Sequence, residues 1–521
     1  MYFDGTNNNK EVDQPLNGHS NVARLFNARI DDPASGFFSY YISGVGTPCK
    51  EVGDNDGGKV LFGSVRAGGA AGYMGADRIN WGITRVFEAV HAYATGGALL
   101  FPGATVKTIV NNMSSSVGAL SFETTYRRMV LNTWEKKLTA AVQGSQRKVT
   151  QINVAVFGFS RGAAEARAFV NWFSELVRQD DGGYELAGLP IRIYFVGLFD
   201  TVASVGIPNV MPGINGHLAW ADGSMEIPAT VEQCVHYVAL HEQRASFPLE
   251  TAKSVKQKLY PGMHSDVGGG YLPTEQGKLA QCSQIPLNDM HFEAIRAGVP
   301  LLLIDEIRQR SDLKKEFDIP KALATAYNEY WARCGIQAGG DALDLIRQHT
   351  RQYLQWRGGM LVAGKDLTTR RFFRDAERKD KDDLSNAEID LMAQIKKLRL
   401  QLSAENVASS HVGTYSLAGL YGGVPPTKSI DPVTHSLLAE LDRHENLPDE
   451  AKAFFDDYVH DSRAGFTLPV VGLEPSAITA GYLRYRNIYE NERASLKTAS
   501  VPQDASYDAS GSSSTPQMAL T

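Results

Sequence analysis

An apolar run that turns at once into a helix through Gly158-Phe159-Ser160-Arg161-Gly162 constrains this chain more than any other feature. Ile152-Asn153-Val154-Ala155-Val156-Phe157 reads as a buried strand, and Ala163-Ala164-Glu165-Ala166 opens a helix directly after the turn. A reversal this tight needs residues without side chains on both sides of the serine. The strained serine backbone then projects its hydroxyl above the sheet. The first N–H groups of the helix point toward that hydroxyl, and the Arg161 N–H is placed to be one donor of an oxyanion hole. A bare G-x-S-x-G arises by chance in a chain with 49 glycines, where it marks an ordinary strand–helix turn, so the flanking strand and helix carry the argument.

A serine hydroxyl needs a base, and the base an orienting carboxylate. On such a sheet the order along the chain is serine, acid, histidine, each at the C-terminal end of a strand. Asp200 ends the apolar run 191–199, and His264 follows the run 255–260 in the Gly-rich loop Pro261-Gly262-Met263-His264-Ser265-Asp266-Val267-Gly268. Taken singly, Asp200 reads equally as a turn carboxylate, and His264 as a histidine hydrogen-bonded within its loop. His241, just beyond the run 234–240, and His460, beside Asp461, are rival bases without a Gly-rich setting. Asp4-Gly5-Thr6 follows the first short strand, so Gly5 or Thr6 is expected to give the second oxyanion N–H. The phosphatase motif DxDGT does not fit, because its nucleophilic Asp would fall on Tyr2. A divalent-metal hydrolase using Asp4, Asp200, His264 and Asp266 is the competing chemistry.

Apolar runs at 37–42, 152–157, 191–199, 234–240 and 255–260 alternate with helical periodicity at 122–142 and 163–177. That alternation predicts an α/β fold with a mostly parallel sheet flanked by helices. The sheet and its helices are expected over 1–271 as an α/β-hydrolase core, a mainly helical insertion over 272–410 as a lid or membrane-docking module, a return to the core over 411–495, and a disordered tail over 496–521. The Gly-rich stretch 44–75 predicts an ordered loop near the site, and Met1-Tyr2-Phe3 leaves so little strand before Asp4 that trimmed upstream residues are expected. Within the helical region, Ile389 to Leu402 is basic and amphipathic, which suits either a membrane surface or a solvated helix with one packed face.

Composition narrows the partners. The chain has 521 residues with a formal charge of -6, which gives no electrostatic footprint for nucleic acid. No apolar run reaches the ~18 residues of a membrane span, and the N-terminus lacks the order of a signal peptide. Cys49, Cys234, Cys282 and Cys334 are too scattered for a zinc site or a disulfide framework.

The segments FDGTNNN, HSNVARLF, FGFSRGAAEARAF, GLFDTVASVG, HEQRASF and PGMHSDVGGGY, in this order over 2–271, together resemble the catalytic domain of type VI secretion phospholipase effectors, and the closing GYLRYRNIYE is also similar. The resemblance implies an α/β-hydrolase with a helical insertion that cleaves acyl esters of membrane phospholipids. It carries the nucleophile onto Ser160, the acid onto Asp200 and the base onto His264. It implies synthesis in the bacterial cytoplasm, delivery into a competitor's periplasm, a spike protein as carrier and an immunity protein in the producing cell. A serine acyl-enzyme requires no cofactor, with Ca²⁺ assistance left open. An inactive structural component of the spike is the alternative outside enzymology.

Overall fold

The structure is a computed structural model, and it describes residues 1–57, 74–113, 123–180, 182–202, 225–252, 255–336, 341–410, 429–466 and 481–489. Its strands are β1 (Tyr2–Phe3), β2 (Tyr41–Ile42), β3 (Ile152–Phe159), β4 (Arg178–Asp180), β5 (Gly183–Leu186), β6 (Leu189–Phe199), β7 (Cys234–Ala239), β8 (Leu249–Glu250), β9 (Lys256–Tyr260) and β10 (Ile488–Tyr489). The main sheet runs β2-β1-β3-β6-β7-β9, every neighbour parallel. β6 is long enough to serve two neighbours on one edge, pairing antiparallel with β5 at its start and parallel with β7 over Val196–Phe199. A second, two-stranded sheet joins β10 to β8.

β3 is central, and from Val156 onward every residue is buried, as expected for a parallel strand covered on both faces. On one face Val154, Val156, Val196 and Leu198 pack against Ile79, Ile83 and Phe87 of the helix Gly75–Thr95 and Phe169, Trp172 and Phe173 of Arg161–Ser174. On the other face Phe157, Phe195, Phe199, Tyr237 and Tyr260 meet Val22 and Leu25 of Asn21–Asn27 and Ile285 and Met290 of Gln284–Arg296. That second cluster continues without a break to Tyr330, Tyr353, Phe454 and Phe455, so the helical region shares a core with the sheet. Burying each such side chain contributes about 1.5–3 kcal/mol. The strand order changes direction at β1, whose neighbours β2 and β3 lie on opposite sides. Such a switch point leaves a crevice above the C-terminal strand ends.

Several expectations change on the structure. The run 37–42 gives a strand only at Tyr41–Ile42. β4 carries no apolar signal, because Arg178-Gln179-Asp180 is held by pairing rather than burial. In the 33-residue helix Arg378–Ser410, the packed face is Leu384, Ala387, Leu391 and Ile395, whereas Ile389 and Met392 are exposed at 65% and 49%. The Gly-rich stretch lies outside the described residues from 58 to 73, but its first part presses on the β1 loop: a Cβ on Gly44 would fall 1.7 Å from the Gly5 carbonyl oxygen. The tail over 496–521 lies wholly outside the described residues.

Candidate active site

Ser160 follows the last residue of β3 and caps the helix Arg161–Ser174 with φ 58° and ψ -125°. For a residue with a Cβ that conformation costs about 1–3 kcal/mol and persists only where its surroundings hold it. Here the Ser160 N–H donates to the Phe199 carbonyl at 3.0 Å, and the Ser160 carbonyl accepts from Val202 at 3.2 Å. A Cβ on Gly158 would lie 2.5 Å from the Gly162 carbonyl oxygen, and one on Gly162 would lie 2.2 Å from that of Asp4. Both flanking glycines are therefore required by the close approach of β1 and the helix.

Asp200 follows β6, also at positive φ (40°), and His264 opens the five-residue helix His264–Gly268 after β9. The loop expected around His264 is thus helical from that residue on, fixed by the Asp266 carboxylate accepting the Met263 N–H at 2.9 Å. The Nδ1–H of His264 donates to Asp200 Oδ2 at 2.5 Å. Its ring stacks on Phe159, the residue before Ser160, at 4.6 Å and meets the edge of Phe247 at 5.0 Å. Nε2 is buried and has no hydrogen-bond partner among the described residues, which leaves it free to accept a proton. Burial pushes the His264 pKa below the ordinary histidine value, partly opposed by Asp200.

Asp200 is held from a second side by a residue that sequence reasoning missed. Arg486 donates Nη1–H to Oδ1 and Nη2–H to Oδ2, both at 2.8 Å. The Ala239 N–H adds a third donor at 2.9 Å. Burial alone would raise the Asp200 pKa, but Arg486 and His264 outweigh it and hold the carboxyl well below the usual range. Glu242 accepts the His264 backbone N–H at 3.2 Å, the Ser462 hydroxyl at 2.9 Å and two donors of the Arg244 guanidinium at 3.0 Å. The only sequence signal for Arg486 was the segment GYLRYRNIYE, which gave no hint of what the arginine meets.

The β1 loop divides the two expected donors. Gly5 gives its N–H to Asp4 Oδ1 at 2.7 Å, so Gly5 is engaged elsewhere, whereas the Thr6 and Arg161 amides have no acceptor among the described residues. Asp4 also accepts the Ser20 hydroxyl at 2.5 Å and the Tyr41 hydroxyl, and burial pushes its pKa up to about 6. These bonds shape the loop that carries Thr6.

The competing metal cluster is not assembled. Asp4 is taken by Gly5, Ser20 and Tyr41, Asp200 by Arg486 and His264, and Asp266 by Met263 and His460, and no ligand group of three forms among the described residues. The rival histidines are also placed elsewhere. His241 accepts the Gly262 N–H at 2.8 Å and faces Tyr330 and His349, while His460 donates to Asp266 and stacks on Tyr271 at 3.9 Å.

A parallel sheet covered by helices, with the serine elbow above its central strand, places the protein in the α/β-hydrolase class of folds. The family model described as type VI secretion, phospholipase effector Tle1-like, catalytic domain, matches residues 1–293. The chain belongs to that family of lipid-hydrolysing type VI secretion effectors. A crystal structure of an uncharacterized protein from Pseudomonas aeruginosa is similar over 94% of this chain and 78% of that chain, at 28% identity and a TM-score of 0.70. A structure of the Tle1 effector bound to the VgrG spike from the type 6 secretion system matches distantly, at 18% identity and a TM-score of 0.38 over 64% of this chain and 78% of that chain. No curated protein matches the sequence.

Proposed function

We propose that this protein cleaves acyl ester bonds of membrane phospholipids through a Ser160–His264–Asp200 triad. The observation that carries the reading is the pair of groups around Phe159: a strained serine on one side of it, and on its ring an imidazole whose Nδ1 is tied to a carboxylate and whose Nε2 is free. Ser160 Oγ attacks the acyl carbonyl while its proton passes to His264 Nε2. Asp200 holds the tautomer and stabilises the imidazolium. The negative oxygen of the tetrahedral intermediate is received by the Arg161 and Thr6 N–H groups. Collapse expels the lysophospholipid oxygen, which takes the proton from Nε2, and leaves the acyl group on Ser160. Water then attacks the acyl-enzyme, gives its proton to Nε2 and releases the fatty acid, restoring Ser160. No cofactor enters these steps.

Membership of a type VI secretion effector family supports an antibacterial role: delivery on a spike protein into a target cell's periplasm, with an immunity protein protecting the producer. The test combines fluorophosphonate labelling with phospholipid hydrolysis on one sample. Labelling at Ser160 and loss of both signals in Ser160→Ala are expected, whereas hydrolysis that survives this change and stops with a chelator would replace the serine by a metal mechanism.

A further inference from the structure

Arg486 reaches Asp200 across 286 positions of sequence, from a segment well beyond residues 1–293 matched by the family model. The segment is seated by β10 on β8, where the Leu249 N–H donates to Asn487 at 2.8 Å and the Thr251 N–H to Tyr489 at 3.1 Å. The guanidinium is held on its other edges too, with Nε–H donating to the Phe247 carbonyl at 2.8 Å and Nη1–H facing the Ala239 carbonyl at 3.4 Å. Both side chains are almost fully buried, at 1% and 0% exposure.

We propose that Arg486 is a positioning residue for the acid: its fork clamps both Asp200 oxygens, fixes the plane in which Oδ2 meets His264, and offsets the carboxylate charge felt by the imidazole. The inference rests on the triad reading above. A bidentate guanidinium–carboxylate pair is planar and directional, so it sets an orientation that a point charge would not. The surrounding charges show why the offset falls to Arg486. Glu242 beside His264 is already matched by Arg244, Asp266 on the His264 helix is bound to His460 below Tyr271, and His236 accepts the Thr201 N–H at 3.0 Å behind Asp200. Loss of Arg486 therefore leaves one carboxylate unmatched beside His264. The Asp200–His264 pair then takes up its proton at a higher pH, whichever of the two carries it.

The experiment measures kcat/KM for a soluble short-chain ester, and the rate of Ser160 labelling by fluorophosphonate, across pH in the full chain. Arg486→Met is expected to lower kcat/KM by about 10–100-fold and move the acid limb up by about one pH unit. Arg486→Lys keeps the charge but not the fork, so it is expected to lower kcat by about tenfold and leave the limb in place. Tyr485→Phe removes only the hydrogen bond from Arg351 to the same segment and is expected to match wild type. An unmoved limb in a folded Arg486→Met overturns the charge offset. Wild-type kcat in Arg486→Lys overturns the clamp, and this variant decides the matter if the methionine variant does not fold. Absence of Ser160 labelling in wild type would instead sink the triad reading, independently of Arg486.

Discussion

His460 Nδ1 and Asp266 Oδ1 meet at 2.6 Å, so the five-residue helix that begins with His264 takes part in two buried imidazole–carboxylate pairs. One pair, through His264, stands on Phe159 beside the serine. The other, through Asp266, ties the helix to the chain near its C-terminal end and caps it at Met263. The two imidazoles differ in what their rings meet: Phe159 and Phe247 at His264, Tyr271 at His460.

The two histidines are separable by substitution. His264→Ala is expected to reduce kcat to the level of the serine variant, on the order of a millionfold. His460→Ala removes the imidazole from a buried carboxylate that keeps its two backbone donors, and is expected to cost on the order of 2 kcal/mol of stability while folded molecules still label at Ser160. Denaturant unfolding alongside active-site titration distinguishes them, and the reverse pattern would move the base to His460.

Ser160→Gly and Ser160→Ala both remove the proposed nucleophilic hydroxyl but differ in backbone strain. At φ 58° and ψ -125°, glycine relieves a conformation that alanine must keep. Ser160→Gly is expected to exceed Ser160→Ala in unfolding free energy by about 1 kcal/mol, even after the entropy that glycine adds to the unfolded chain. Equal stabilities in urea would mean that the elbow relaxes in one of the variants.

Acid should weaken the fold before it protonates the surface carboxylates. Burial pushes the pKa of His236 and of His349 down to about 3, and holds that of His241 well below the ordinary value. These folded pKa values are depressed below the unfolded ~6.5, so the histidines contribute stability that is present above ~6.5 and lost as pH falls toward ~3. Asp4 and Glu165, raised by burial to about 6 and about 8, oppose this, because their folded forms bind protons first as pH falls. His264 and His291, also lowered by burial, act in the same direction, so the histidines outweigh these carboxylates and the melting temperature is expected to fall by roughly 2–5 °C between pH ~7 and ~5. A flat or rising profile over that window would contradict the balance.

Lys396 and Lys397 are exposed on the helix Arg378–Ser410, whose neighbour Arg399 is paired with Asp442. Anionic headgroups attract a lysine near the surface with ~1 kcal/mol, an effect that salt screens. Lys396→Glu with Lys397→Glu is expected to slow hydrolysis of anionic vesicles about tenfold at low salt and to spare a soluble short-chain ester. Unchanged rates on both substrates would make this an ordinary solvated helix face.

What the sequence determined by itself was local. The strand–turn–helix around Ser160 spans a short stretch, its two glycines are demanded by contacts that any such turn makes, and the alternation of apolar runs with helical periods specified the α/β class. Periodicity was less reliable where burial is uneven. Ile389 and Met392 have helical spacing with Ile395, yet they face solvent, because Leu384, Ala387, Leu391 and Ile395 present the stripe that meets the core. The strand Arg178–Asp180 was illegible because pairing, not apolar content, holds it.

Only the tertiary structure decided which groups meet. Spacing along the chain said nothing of the contact between Asp200 and Arg486, 286 positions apart, or of the Gly5 N–H being taken by Asp4 rather than left for an oxyanion. Strand-end order pointed to Asp200 as the acid, but the direct contact between His264 and Asp200, 64 positions apart, is seen only in the folded chain. The reason is physical. A strand or turn is dictated by steric and apolar patterns within a few residues, whereas a buried charge takes whichever partner the folded chain brings within hydrogen-bond distance, and that choice depends on the packing of every element around it.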